Sequence, residues 1–188
     1  MSTITTFTHV SVDGFFAGPK GEIDWFHSIE HEPEYDAYTH EQSSSGDTLL
    51  FGHTTYDMMK SFWPTPGADK TNPEMARVMR NSPKVVVSKK LKSVDDEPNW
   101  KNIRVIHEID RDEIVKLKQQ TDITVLGSGS VVQQLSNLGL IDEYRLIVVP
   151  LILGSGKPLF KDVQKRVLKL QEARQFRNGI AVLRYRSS

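Results

Sequence analysis

The chain has 188 residues, with 24 Lys+Arg balanced by 24 Asp+Glu and no cysteine, a length that suggests one domain spanning residues 1–188 at about 150 residues per domain. Zero net charge argues against a nucleic-acid partner, and the lack of cysteine rules out disulfides, Cys-ligated zinc, iron–sulfur clusters and a thiol nucleophile. The longest apolar run, Leu146 to Leu153, is broken by Pro150 and falls short of the ~18 residues of a spanning helix, while Met1 to Val10 lacks the features of an export signal, so the expectation is a cytoplasmic protein with no membrane partner.

In chain order, the first strand is expected over Thr3–Val10. The stretch His40 to Asp47, with its serine run and Gly46, reads as a surface loop. Thr48–Phe51 follows as a strand, then Gly52-His53-Thr54-Thr55 and a helix with Tyr56, Met59 and Trp63 on one face. Phe62 to Thr71, containing Pro64, Pro66 and Gly67, reads as a second loop. Asn72-Pro73 opens a helix carrying Met75, Val78 and Met79. The strands Lys84–Ser88 and Ile103–Ile106 come next, then a helix begun by Asp110-x-x-Glu113 with Ile114 and Leu117. After the strand Ile123–Leu126, Ser130 can cap a helix with Val131, Leu135 and Leu138 on one face, and Gly139 ends it. Glu143–Val149, Arg166–Glu172 and Ile180–Arg186 complete the strands. Short, unalternating apolar runs such as Ile123–Leu126 are the pattern of strands buried on both faces. The fold class is therefore α/β: a mixed, mainly parallel sheet covered on both faces, with an antiparallel C-terminal edge.

Ligands of open α/β sheets sit beyond the carboxyl ends of the strands. Three such ends suit anions. Gly52 admits close approach of a phosphate, and Thr55 is placed to cap the helix behind it. Ser88-Lys89-Lys90 joins a hydroxyl to two ammonium groups, the chemistry of a phosphate monoester such as the 2′-phosphate of NADPH. Gly127-Ser128-Gly129-Ser130 lies between a buried strand and a helix start, which makes a pyrophosphate cradle. Each alone is also an ordinary turn; together they favour a dinucleotide.

These residues, in this order, resemble the dihydrofolate reductase-like fold, and within it the reductase domain of the bifunctional deaminase–reductase of riboflavin biosynthesis and its stand-alone relatives. The matching stretches include Ser11-Val12-Asp13-Gly14-Phe15, Asp24-Trp25, Phe51-Gly52-His53-Thr54-Thr55-Tyr56 and Val125 to Ser130. The most distinctive is Gly139-Leu140-Ile141-Asp142-Glu143-Tyr144 leading to Pro150 through Phe160. The resemblance implies NADPH as cofactor and hydride transfer to a small heterocyclic substrate, pteridine-like or ribosylaminopyrimidine-like. Carried over by position, Gly52, His53, Thr54 and Thr55 with Gly127, Ser128, Gly129, Ser130 and Val131 would hold the pyrophosphate. Ser88, Lys89 and Lys90 would hold the 2′-phosphate, His9 and Phe16 would line the nicotinamide, and the loop Asp13 to Trp25 would close over the site. His53 replaces the usual arginine of dihydrofolate reductases, and the deaminase motif is missing.

The family places its proton-supplying carboxylate on the helix after the Trp-containing loop. Here that region offers Asp36 as first candidate and Glu30 as second, with Asp24 on the loop itself as a third. His27 and His31, four apart, read as surface residues, so no metal is expected. Trp25, Phe26, Phe62 and Trp63 could line an aromatic pocket or pack a core. Glu143 to Leu153, placed near a sheet edge where relatives pair, suggests a homodimer. The alternative to an NADPH-dependent oxidoreductase is a nucleotide-binding module of the same fold without turnover.

Overall fold

A computed structural model describes residues 2–43 and 47–187, apart from the side chains of Phe26, His27 and Ser43. Its centre is an eight-stranded sheet. In chain order the elements are β1 (Ile4–Ser11), β2 (Phe15–Ala17), α1 (Pro33–Ser43), β3 (Thr48–Gly52), α2 (His53–Phe62), α3 (Pro66–Thr71), α4 (Pro73–Asn81) and β4 (Lys84–Val87). They continue as β5 (Ile103–Ile106), α5 (Arg111–Gln120), β6 (Ile123–Leu126), α6 (Gly129–Asn137), β7 (Glu143–Val149), β8 (Lys157–Pro158), β9 (Leu168–Gln175) and β10 (Ala181–Ser187). The sheet order is β5-β4-β3-β6-β1-β7-β10-β9. All pairings from β5 to β7 are parallel, and β10 and β9 close the sheet antiparallel. The expected α/β class holds. Among the described residues, no helix is long and apolar enough to cross a membrane.

The short apolar strands are central for the expected reason. Leu50, Phe51, Val86, Ile123 and Val125 are fully buried, and neighbouring side chains serve opposite faces of the sheet. Leu50 and Val125 pack with Ile114, Val131 and Leu135 of α5 and α6. Leu49 and Phe51 pack with Tyr56 and Met79 of α2 and α4 on the other face. The helix after β3 and the helix after β6 therefore cover opposite faces, and the adjacent ends of β3 and β6 form the switch point at which α/β sheets open a crevice.

Several expectations need correction. Residues 40–43 of the expected loop His40–Asp47 belong to α1, and residues 44–46 lie outside the described residues. The expected loop Phe62–Thr71 holds the short helix α3, with Pro66 at its first turn. The strand expected over Arg166–Glu172 runs Leu168–Gln175, and a bulge opposite Arg184/Tyr185 shifts its alternation, leaving Leu170 half exposed. Glu143–Val149 is not an edge. It lies between β1 and β10, whose ladders take its backbone groups.

Capping follows local chemistry. The Asn72 and Asp110 side chains accept from the backbone N–H of Met75 (3.0 Å) and Glu113 (2.9 Å). Lys84 begins β4 fully buried. Its Nζ donates to the carbonyls of Arg80, Ser82 and Lys101 and lies 4.5 Å from the centre of the Trp100 ring, while burial pushes its pKa down to about 8. At the end of α6, the N–H of Leu140 donates to Leu135 and that of Gly139 to Ser136, each at 3.0 Å, with Gly139 at φ +68°. A Cβ on Gly139 would meet the Arg166 guanidinium no closer than 3.5 Å. Gly139→Ala therefore carries backbone strain without a clash, and is expected to lower stability by about 1–2 kcal/mol in urea unfolding.

Candidate functional site

A cleft of about 980 Å³ lies over the carboxyl ends of β4, β3, β6 and β1. Its upper wall is made by two helix starts that leave their N–H groups unpaid by side chains. The expected caps, Thr55 and Ser130, do not serve. Gly52 is the N-cap of α2 and has no side chain to offer, so Thr55 falls within the first turn. Ser128 is the N-cap of α6 but makes no capping bond. Its hydroxyl instead accepts from the backbone N–H of Gly52 at 2.9 Å, which ties the two turns together. Gly127, at φ +63°, lets the chain turn from β6 toward α6 while the Thr55 side chain packs 3.7 Å from where its Cβ would stand. The first-turn N–H groups of α2 and those of Gly129 and Ser130 in α6 are thus left without side-chain caps beside the cleft, the Val131 N–H being taken by the Ser128 carbonyl at 2.9 Å.

The third turn joins the same cleft. Ser88 is buried, and its hydroxyl accepts from the N–H groups of Lys90 (3.1 Å) and Leu91 (3.0 Å). With both lone pairs engaged, its proton is left for His53 Nδ1 at 3.1 Å. His53 Nε2 then faces Asp57 Oδ2 at 3.3 Å. The imidazole therefore bridges the β3 and β4 turns, and Ser88 shapes its turn while Lys89 and Lys90 stay exposed.

The loop from Asp13 to Trp25 approaches with β2. Phe16 lies in the cleft lining with its ring directly over Gly129, where a Cβ would stand 2.3 Å from it. β2 pairs with β8, and the Asp13 carboxylate accepts from the N–H groups of Leu153 (3.1 Å) and Gly154 (2.8 Å).

The floor and far end are formed by β1 and α1. Glu32 opens α1 by accepting from the N–H of Tyr35 at 2.7 Å. Asp36 lines the cleft, its carboxylate 2.6 Å from His31 Nε2 and its side chain 44% exposed. Glu30 and Asp24 are both exposed and lie outside the cleft lining, so of the proposed carboxylates the structure brings Asp36 alone to the site. His9 and Tyr35 meet in the floor at 2.7 Å (Nε2 to hydroxyl). The cleft touches His9 on one side, and protein encloses it on the others. Burial pushes its imidazole down to about 4 and raises the Tyr35 hydroxyl, so both are neutral near pH 7. Of the four aromatics considered together, Trp63 lines the cleft, Trp25 is core, Phe62 is 40% exposed, and the side chain of Phe26 lies outside the described residues.

The sequence model of the RibD C-terminal domain matches residues 2–182. The chain belongs to the RibD C-terminal domain family. The Bacillus subtilis (strain 168) protein YyaP is 30% identical over 177 residues, 94% of this chain and 90% of its own. A protein of Shewanella sp. PV-4 ascribed to riboflavin biosynthesis superposes with a TM-score of 0.79 at 22% identity, covering 100% of this chain and 99% of that one. The Thermotoga maritima diaminohydroxyphosphoribosylaminopyrimidine deaminase/5-amino-6-(5-phosphoribosylamino)uracil reductase superposes at TM-score 0.68 and 15% identity, covering 100% of this chain and 57% of that one. The fold is thus the reductase-type fold of the RibD family, here without a deaminase motif.

Residues of the RibD-type cleft that sequence reasoning missed include Tyr35, Thr39, Gln42 and Arg145. Tyr35 neighbours Asp36 in one helical turn, a signal that was present. Arg145 has none, because it reaches the cleft through the pairing of β7 with β1.

Two outcomes are expected. The unfolded chain takes up the His9 proton near pH 6.5 and the folded chain only near 4, so stability is present above about 6.5 and falls as pH drops toward 4. His9→Gln should flatten that part of a stability-versus-pH profile by at most about 3 kcal/mol, read by urea unfolding at each pH. Gly129→Ala should cost about 1–3 kcal/mol by driving Phe16 off its seat. Its cost in a Phe16→Ala background should fall below about 1 kcal/mol, and equal costs in both backgrounds would show that the ring does not press on Gly129.

Proposed function

We propose that the protein is an NADPH-dependent reductase that delivers hydride to a small pteridine-like or ribosylaminopyrimidine-like heterocycle. One observation carries this reading: the turns after β3, β4 and β6 open into a single cleft whose other end holds Asp36 and Tyr35. The residues fit the cofactor. Two uncapped helix starts and the glycines at 52 and 127 form a cradle with space and donors for a diphosphate, and Gly129 beside them receives the Phe16 ring. Two exposed ammonium groups follow the strand beside it, at Lys89 and Lys90.

Gly52–Thr55 and Gly127–Val131 would hold the diphosphate, and Lys89 and Lys90 the 2′-phosphate. Bound there, NADPH supplies hydride. The chain's own groups do the rest. Phe16 and Phe7 exclude water from the middle of the cleft. Asp36 stands partly exposed at the edge of the same cavity, placed to relay a proton between solvent and the ring. The neutral Tyr35–His9 pair orients a polar edge of the heterocycle without adding charge to the floor.

The cofactor part is tested by binding. NADPH titrated into the protein should show a change in nicotinamide fluorescence, with NADH binding at least about tenfold more weakly. Lys89→Ala/Lys90→Ala should weaken NADPH by about tenfold and leave NADH unchanged. No binding at millimolar NADPH would remove the reading.

A further inference from the structure

Histidines aside, the cations that line the cleft among the described residues are Lys89, Lys90, Arg145 and Lys157. Lys89 and Lys90 follow β4, at the turn assigned above to the 2′-phosphate. Arg145 is held elsewhere. Its Nε donates to Glu143 at 2.5 Å and its Nη1 to the side-chain carbonyl of Gln42. Glu143 is buried, so moving Arg145 away would leave a buried carboxylate short of a partner. His53 is engaged at both ring nitrogens, by Ser88 and by Asp57. Lys157 differs from these. Among the described residues its ammonium has no hydrogen-bond or ion-pair partner.

The backbone that carries Lys157 is held on several sides. Lys157 opens β8 and pairs with Ala17 of β2. Gly156 lies so close to β2 that a Cβ on it would stand 2.4 Å from the Ala17 carbonyl oxygen. Gln133 of α6 donates its side-chain amide to the carbonyls of Pro158 (3.1 Å) and Leu159 (2.9 Å). Leu159 is buried in the core, and its N–H donates to the Gly14 carbonyl at 3.1 Å. The Lys157 side chain is exposed and lines the cleft beside Gly21, where a Cβ would stand 3.2 Å from Nζ. Ala17 directly follows Phe16, whose ring covers Gly129, so Lys157 stands where the loop meets the start of α6. A fixed backbone thus presents a free ammonium to the same cleft that receives the uncapped N–H groups, and charge-assisted contacts of this kind are the stronger ones to an anion.

We propose that Lys157 is a cofactor-binding residue whose ammonium pairs with the diphosphate of the bound dinucleotide from the loop side. This rests on the dinucleotide reading and adds to it a contact separate from the 2′-phosphate turn. The distribution of charge favours it. The 2′-phosphate has Lys89 and Lys90, whereas the diphosphate otherwise meets backbone N–H groups alone. Lys157 supplies the full positive charge that those dipoles lack.

The dissociation constants of NADPH, NADH and adenosine 2′-monophosphate are measured by calorimetric titration at fixed ionic strength, on the full chain and on Lys157→Met. Methionine keeps most of the side-chain length and removes the charge, and at this exposed position the ligand-free melting temperature should stay native. Lys157→Met is expected to weaken NADPH and NADH alike, each by about tenfold or more, and to leave adenosine 2′-monophosphate, which has no diphosphate, unchanged. Lys89→Ala/Lys90→Ala gives a different pattern, because it spares NADH. Lys20→Met, which alters an exposed lysine of the same loop outside the cleft lining, should leave all three ligands unchanged. Native NADPH and NADH affinity in Lys157→Met, the result for a lysine reserved for an anionic acceptor, overturns the proposal, and so does an equal loss in Lys20→Met. If NADPH fails to bind the native chain, the cofactor reading falls, and inorganic pyrophosphate decides the role of the lysine by itself. It should raise the melting temperature of the native chain more than that of Lys157→Met, and equal shifts or none would overturn the assignment.

Discussion

The site depends on one hydrogen bond, from the Gly52 N–H to the Ser128 hydroxyl. It joins the turns after β3 and β6, whose helices cover opposite faces of the sheet, and it takes away the side chain that would otherwise cap α6. A serine at a helix start normally satisfies its own helix. Here it satisfies the neighbouring strand end, and two helix starts are left with donors facing one crevice. The sheet order makes this geometry available, because β6 returns to pair between β3 and β1. The pair of uncapped helix starts in this protein is therefore a property of the topology joined to a single hydroxyl.

The cleft is divided by chemistry. Backbone donors and exposed lysines line its turns, and methionines, carboxylates and an arginine bonded to Glu143 line the rest. Between them lies His9, kept neutral by its surroundings and paired to Tyr35. Burial makes neutrality the lower-energy state of that imidazole. Phe16, seated on Gly129, closes the remaining side with an apolar surface that only a glycine can receive.

Much of the fold was legible in the sequence. Ile123–Leu126 and Thr48–Phe51 read as buried strands because they are short, apolar and unalternating, and Asn72 and Asp110 read as caps because their side chains can reach only local donors. α1 was harder to bound, since its sequence presents just Tyr35 and Tyr38 as large apolar groups and only Tyr38 is buried. The pairing of β2 with β8 joins residues some 140 positions apart along the chain and carries no periodic signal. The expected edge at Glu143–Val149 failed for a related reason: whether a strand is internal depends on what pairs beside it, and that is β10.

From the chain alone follow the α/β class, the strand ends rich in Gly, Ser and Lys, and the crowd of carboxylates ahead of β3, because these rest on local composition and period. The folded structure had to select Asp36 over Glu30 and Asp24, tie Ser128 to Gly52, and bring Arg145 and the methionines to one cleft. Those choices depend on distances between elements remote in sequence. A local pattern can say which groups a residue is able to bind, and only the packing says which group is there.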